Sequence, residues 1–199
     1  WGERFHWYST TGWVMWNAQT AGLLGGTTLC LYDGSPGGTK LTGTGGPDWT
    51  TLWRFAAETG VTFFGAGAAF YANCMKADID LRTFGDLSRV RALGVTGSPL
   101  SEDVQRWGTE QFRKLHAHQG GDVRRDGPPQ ASTAPPGGSE PHAVGEPRNA
   151  RERGTHGGDI WWCNISGGTD FAGAFIGGNR ELPQVPGEMQ CRQLGCAVE

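Results

Sequence analysis

Apolar and polar positions along this chain follow two periods in turn: short continuous apolar runs bounded by glycine, and longer stretches in which apolar residues recur every three or four positions. The first helical pattern covers residues 13–24, entered through the polar turn Ser9-Thr10-Thr11-Gly12 and stopped by Gly25-Gly26, and a strand follows at 27–32. Asp33-Gly34-Ser35-Pro36 ends that strand, and a glycine-rich connector runs on to Pro47. Asp48 is placed to cap a helix through Glu58 that carries Leu52, Phe55 and Ala56 at helical spacing and is closed by Gly60. A second strand is predicted at 61–64, a helix from the Gly65-Ala-Gly67 stretch through Lys76, and a third strand at 90–95. That strand runs into Thr96-Gly97-Ser98-Pro99 and then into a helix capped by Ser101 and reaching about Phe112. Residues 160–165 read as a buried strand, and 171–176 and 188–194 as further strands. The β-α-β-α rhythm predicts an α/β domain built on a mostly parallel sheet with flanking helices.

Between residues 116 and 158 the pattern stops, for there is no Leu, Ile, Met, Phe, Trp or Tyr, and proline, glycine and mixed charge dominate. Such a segment cannot bury enough apolar surface to offset the entropy of ordering it. It is expected to be a disordered insertion, 116–158, between two parts of one domain at 1–115 and 159–199.

Composition narrows the function classes. A net charge of −3 over 199 residues gives no basic surface for nucleic acid, and no apolar run approaches the roughly 20 residues of a membrane span. The chain opens on Trp1 rather than Met, which fits a fragment, and a cytoplasmic setting is expected. Five scattered cysteines without a C-x-x-C pair read as free buried thiols, and four of the five histidines fall in the polar segment, which disfavours a histidine-based metal site or triad. Asn164-Ile165-Ser166 matches a glycosylation acceptor but ends a buried strand, and is taken as chance.

Two stretches carry candidate chemistry. In 159–170, Asp-Ile-Trp-Trp-Cys-Asn-Ile-Ser-Gly-Gly-Thr-Asp, the strand gives way to Gly167 and Gly168, which allow a tight turn and a close approach of the backbone to a ligand. Thr169 is then free to donate to a phosphate oxygen and Asp170 to hold a hard cation. An ordinary β-turn is the better account of Ser-Gly-Gly-Thr when it is taken alone. The second stretch, Gly65 to Phe70, lies where a dinucleotide fold carries G-x-G-x-x-G, but Phe70 replaces the third glycine and no acidic residue ends a second strand about twenty residues on. Close packing of a helix start on the sheet is the better account of it. In an open α/β sheet ligands bind beyond the carboxyl ends of strands, so the loops at 96–99 and 167–170 are expected to be neighbours.

Taken in order, Ser-Thr-Thr-Gly-Trp-Val-Met-Trp-Asn (9–17), Leu-Tyr-Asp-Gly-Ser-Pro (31–36), Gly-Val-Thr-Gly-Ser-Pro-Leu (94–100), Ile-Ser-Gly-Gly-Thr-Asp (165–170) and Gly-Gly-Asn-Arg-Glu-Leu-Pro (177–183) resemble the adenylate-forming superfamily of acyl-CoA synthetases, in the branch that activates acetoacetate. The resemblance runs over about 1–113 and 159–199 and implies part of the large N-terminal domain of such an enzyme. It implies an acid-thiol ligase of lipid and ketone-body metabolism that uses ATP, Mg²⁺ and coenzyme A, converts a carboxylate to an acyl-adenylate and passes the acyl group to the coenzyme thiol. Fixed donors and a cation are what such chemistry asks of a site, because negative charge accumulates in both steps.

Carried over by motif, Gly97, Ser98 and Pro99 match the loop packed against adenine. Asn164, Ile165, Ser166, Gly167, Gly168 and Thr169 match the stretch around the adenine and α-phosphate, with Thr169 on the phosphate. Asp170 stands where most members have Glu, the residue associated with Mg²⁺. Val14, Thr96 and Gly167 match the acyl pocket, where glycine at 167 in place of a bulky Trp leaves room for an acid larger than acetate. Met15 replaces a Thr near the coenzyme path, and no coenzyme contact is assigned there. The chain departs from the pattern in lacking the lysine-bearing phosphate loop, the ribose-binding Asp and Arg, and the small domain with the catalytic Lys; residues 116–158 are also foreign to it. The 199-residue chain alone is therefore expected to be inactive as a ligase. A catalytically dead nucleotide-binding remnant and a dinucleotide-dependent oxidoreductase using Gly65 to Phe70 stand as alternatives.

Overall fold

A computed structural model describes residues 3–38, 46–120 and 159–198, with the side chains of 118–120 excepted. Five strands form one all-parallel sheet: β1 (Arg4–Trp7), β2 (Thr28–Leu29), β3 (Phe63–Gly67), β4 (Ala92–Thr96) and β5 (Trp161–Asn164), in the order β2-β1-β3-β4-β5. Helices α1 (Val14–Ala21), α2 (Thr51–Thr59), α3 (Ala68–Lys76) and α4 (Glu102–Gly120) make the crossovers. A second, antiparallel sheet of β6 (Ser166–Gly168), β7 (Gly173–Gly177) and β8 (Cys191–Arg192) continues from the end of β5. The α/β architecture with a mostly parallel sheet is as the sequence pattern predicts.

Each face of the parallel sheet follows from the period of two along β3. Phe64 and Ala66 point into the main core with Trp53, Phe70, Tyr71, Leu93 and Val95, and the Trp53 and Phe64 rings stack with centroids 4.5 Å apart. Phe63 and Gly65 share the opposite face with Phe5 and Trp7 of β1, with Phe5 stacked on Phe63 at 4.7 Å. Trp7 is in register with Gly65, and Gly65 with Gly94 of β4, so one indole lies across two strands that present no side chain there. A Cβ at either glycine would come within 2.2 Å of that ring. Gly65 and Gly67 thus belong to a strand and not to a phosphate-binding turn. Close packing, not a dinucleotide fingerprint, accounts for the first of them.

The outer edge of β5 is covered by a side chain. Gln184 accepts from Trp162 N–H at 2.6 Å and its amide donates to Ile160 C=O at 3.4 Å, imitating a neighbouring strand and removing bare ladder groups. Arg113 of α4 and Asp159 pair at 2.6 Å, and the β4–β5 ladder joins the same two parts of the chain, so residues on either side of 121–158 fold on one sheet.

Several boundaries differ from the sequence reading. β1 goes unpredicted, since Arg-Phe-His-Trp alternates over only four residues. The strand expected at 27–32 pairs only at Thr28–Leu29, and the one expected at 61–64 runs later, as Phe63–Gly67. Asp48 accepts from both the N–H and the O–H of Thr50 and pairs with Arg54, so it ties down the turn from which α2 starts at Thr51. Gly60 closes α2 at φ +62°, as expected of a left-handed C-terminal residue. α4 does not stop near Phe112 but continues to Gly120, carrying Leu115 into the core. The predicted disordered insertion therefore begins inside a helix, and its remainder, 121–158, lies outside the described residues. The strands expected at 171–176 and 188–194 shrink to β7 and to the two residues of β8.

Candidate functional site

The loops that follow β4 and β5 meet at the carboxyl end of the parallel sheet, where the sequence places its candidate residues. Ile165 N–H donates to Val95 C=O at 2.8 Å, extending the ladder by one bond, and Thr96 Oγ1 donates to Ile165 C=O at 2.8 Å. These bonds hold Gly97-Ser98-Pro99 beside 164–170. Gly97 sits at φ +89°, a conformation that L side chains rarely adopt, so glycine is needed to turn the chain there.

A cavity of about 210 Å³ opens beside this clamp, lined by Val14, Thr96 and Gly167 together with Met15, Ile165 and Ala174 among others. The three residues expected to line one pocket are thus neighbours. Met15, which the sequence reading set near a coenzyme path without assigning a contact, is nearly fully buried in the same wall. The first turn of α1 faces this region: Val14 N–H donates to Thr169 Oγ1 at 3.3 Å. Trp13 offers no side-chain cap, so Thr169 takes one of the helix's open donors. Its hydroxyl proton remains available to a ligand oxygen, and the positive helix end adds to the attraction of an anion at this point.

On the other side of the same loops lies a second cavity of about 230 Å³, lined by Val95, Ser98, Pro99, Leu100, Asn164, Gly187 and Met189. Asn164 is buried; its amide nitrogen donates to Gln105 Oε1 and Glu188 C=O, both at 3.3 Å, while its Oδ1 has no hydrogen-bond partner. Gln105, in the first turn of α4, carried no sequence signal that singled it out. Ser166 sits in β6 and is half-buried.

Gly167 and Gly168 do not form the tight turn that the sequence suggests. They are part of β6, which pairs with β7 through an irregular register at Ser166/Gly167, and the turn comes at 169–172 with Ala172 at φ +52°. The Cβ that Gly167 lacks would lie 2.1 Å from Gly173 C=O and 2.8 Å from Ala174 Cα. Its first role is to let the two backbones approach, and a side chain there would meet β7 before it reached the cavity.

Asp170 is exposed, and among the described residues no group of three His, Cys, Asp or Glu side chains surrounds it. A lone hard carboxylate next to the Thr169 hydroxyl is compatible with Mg²⁺, which takes one or two carboxylates and completes its shell with ligand oxygens and water. Cys163, next to Asn164 on β5, is no nucleophile: burial pushes its thiol pKa up, away from the thiolate. All five cysteines are free thiols, and no helix among the described residues is long and apolar enough to cross a membrane.

No family model matches this chain. It is 31% identical over 198 residues to the acetoacetyl-coenzyme A synthetase of Rhizobium meliloti (strain 1021), a match covering 100% of this chain and 22% of that protein. It is 30% identical over 192 residues to the acetoacetyl-CoA synthetase of Danio rerio, covering 96% of this chain and 21% of the relative. The solved structure of acetoacetyl-CoA synthetase from Streptomyces lividans superposes with a TM-score of 0.66 at 34% identity, over 98% of this chain and 22% of that one. The chain spans about a fifth of the length of the relatives it matches.

Proposed function

We propose, from the premise that this chain matches a segment of the acetoacetyl-CoA synthetases, that it contributes the acid and nucleotide subsites of an ATP-dependent acid-CoA ligase acting on acetoacetate. The observation that carries this reading is the pair of cavities on either side of the clamped loops, with the start of α1 bonded to Thr169 beside the first of them. The acid occupies the cavity of Val14, Thr96 and Gly167, with its carboxylate toward the amino end of α1. Adenine occupies the cavity of Ser98, Pro99 and Asn164, and the α-phosphate lies at Thr169. A carboxylate oxygen attacks the α-phosphorus, pyrophosphate leaves, and the thiol of coenzyme A later takes the acyl group and releases AMP. The chain's own part is to align the two reactants, which removes most of the entropic cost of their meeting, and to offer fixed donors to the phosphate. Mg²⁺ held at Asp170 would neutralise phosphate charge.

Titration of the chain with a sulfamoyl analogue of acetoacetyl-adenylate tests the proposal. Binding competed by AMP is expected. Ala18→Trp, which fills the first cavity from an exposed position on α1, is expected to abolish analogue binding and spare AMP. An analogue that does not bind, or that binds equally to both proteins, would refute the assignment of the acid cavity.

A further inference from the structure

Gln105 lines neither cavity, yet its side chain, together with Glu188 C=O, fixes which way Asn164 faces. Gly187 N–H, which can only donate, points at Gln105 Oε1 at 2.9 Å, so the atom at that position must be the oxygen. That same oxygen faces the Asn164 amide at 3.3 Å, and Glu188 C=O, which can only accept, faces it at 3.3 Å as well. Two acceptors require the nitrogen of Asn164 on that side, because the flipped amide would set oxygen against oxygen twice. Oδ1 is therefore committed to the other side, buried and without a protein partner, on a residue that lines the cavity of Ser98, Pro99, Leu100 and Met189. Gly187 makes this possible. At φ +83° and with its missing Cβ only 3.2 Å from Glu102 Cβ, it brings its N–H against α4 as no other residue could without strain.

We propose that Gln105 is a positioning residue for base selection: it locks the Asn164 amide so that a lone acceptor meets the edge of the bound base, favouring a purine with an exocyclic amine over one with an exocyclic oxygen. The proposal rests on the nucleotide reading of this cavity. An amine on the base satisfies the orphan oxygen, whereas a carbonyl in the same place sets two acceptors together in a water-poor site. Leaving a buried polar group unpaired is the kind of mismatch that binding sites reject strongly. Without Gln105 only Glu188 C=O still opposes the flipped amide, so the commitment of Oδ1 to the base is weakened.

The test is the ratio of AMP to IMP affinity, measured by titration calorimetry on the 199-residue chain and its variants. The wild type is expected to prefer AMP by at least tenfold. Gln105→Leu is expected to lower the ratio several-fold, chiefly by losing AMP affinity. Gln105→Glu keeps an acceptor for both Gly187 N–H and the Asn164 amide, and is expected to restore the preference. A purely structural role would lower both affinities together and leave the ratio unchanged, which would overturn the proposal, as would a Glu variant no more selective than the Leu variant. AMP and IMP binding equally to the wild type would overturn this inference alone, while failure of both to bind would overturn the nucleotide reading and this inference with it.

Discussion

Glycines permit close approach in both sheets, but what approaches differs. In the parallel sheet, Gly65 and Gly94 make room for the Trp7 indole, which is almost fully buried at 2% exposure. In the antiparallel sheet, Gly167 makes room for the carbonyl of Gly173, at an exposed position beside the cavity of Val14 and Thr96. The first arrangement is part of the interior and bears on the stability of the whole domain. The second shapes one half-exposed ladder that lines a site, so its failure should be felt locally.

The largest effect is expected from Gly94→Ala. Its methyl would sit 2.2 Å from one atom of the Trp7 ring and 2.8 Å from Phe63, with no flexible chain end to move aside. Overpacking of this kind should cost about 3 kcal/mol in a urea unfolding titration. A loss under about 1 kcal/mol would mean that the indole has room to shift and that the two sheets do not differ as described.

Acidification probes the same strand from its other face. His6 of β1 is buried, donates from Nδ1 to Cys30 C=O at 2.8 Å, leaves Nε2 without a partner, and packs on Phe55 and Phe64. Burial lowers its pKa to about 4. The unfolded chain, with an ordinary histidine, then binds more protons than the folded one between pH 6.5 and 4. Stability present above pH 6.5 should therefore be lost as pH falls through that window, by about 2 kcal/mol from pH 6.5 to 4.5. His6→Asn, whose amide can still donate to Cys30 C=O, should flatten that part of the profile in unfolding titrations. An unchanged slope would assign the acid sensitivity to other groups.

The smallest change in global stability is expected at the site. Gly167→Ala forces β7 away from β6 and should cost under about 1 kcal/mol overall, while lowering hydrogen-exchange protection across β6 and β7 and weakening the adenylate analogue. A full-domain loss as large as that of Gly94→Ala would show that the small sheet is as integral to the fold as the parallel one. Unchanged protection with lost analogue binding would instead make Gly167 a determinant of cavity volume.

What residues 1–113 and 159–199 determine by themselves is the order of elements and the face each presents. Helical spacing at Leu52 and Ala56, the apolar run ending at Asn164, and the loops that close on Thr96 and Thr169 are properties of neighbours in the chain. Local period and propensity suffice for them. The motif at 164–170 was legible for the same reason, being contiguous. Tertiary structure alone decided why the glycines are glycines and which polar side chains matter. Gly65 answers to Trp7, 58 positions away, and Gly94 to the same indole from 87 positions away. Gln105 answers to Asn164 and Gly187, at separations of 59 and 82. A missing Cβ or a buried amide takes its meaning from the atom opposite, and only folding brings that atom within 3 Å or so, the distance at which steric and hydrogen-bond energies act.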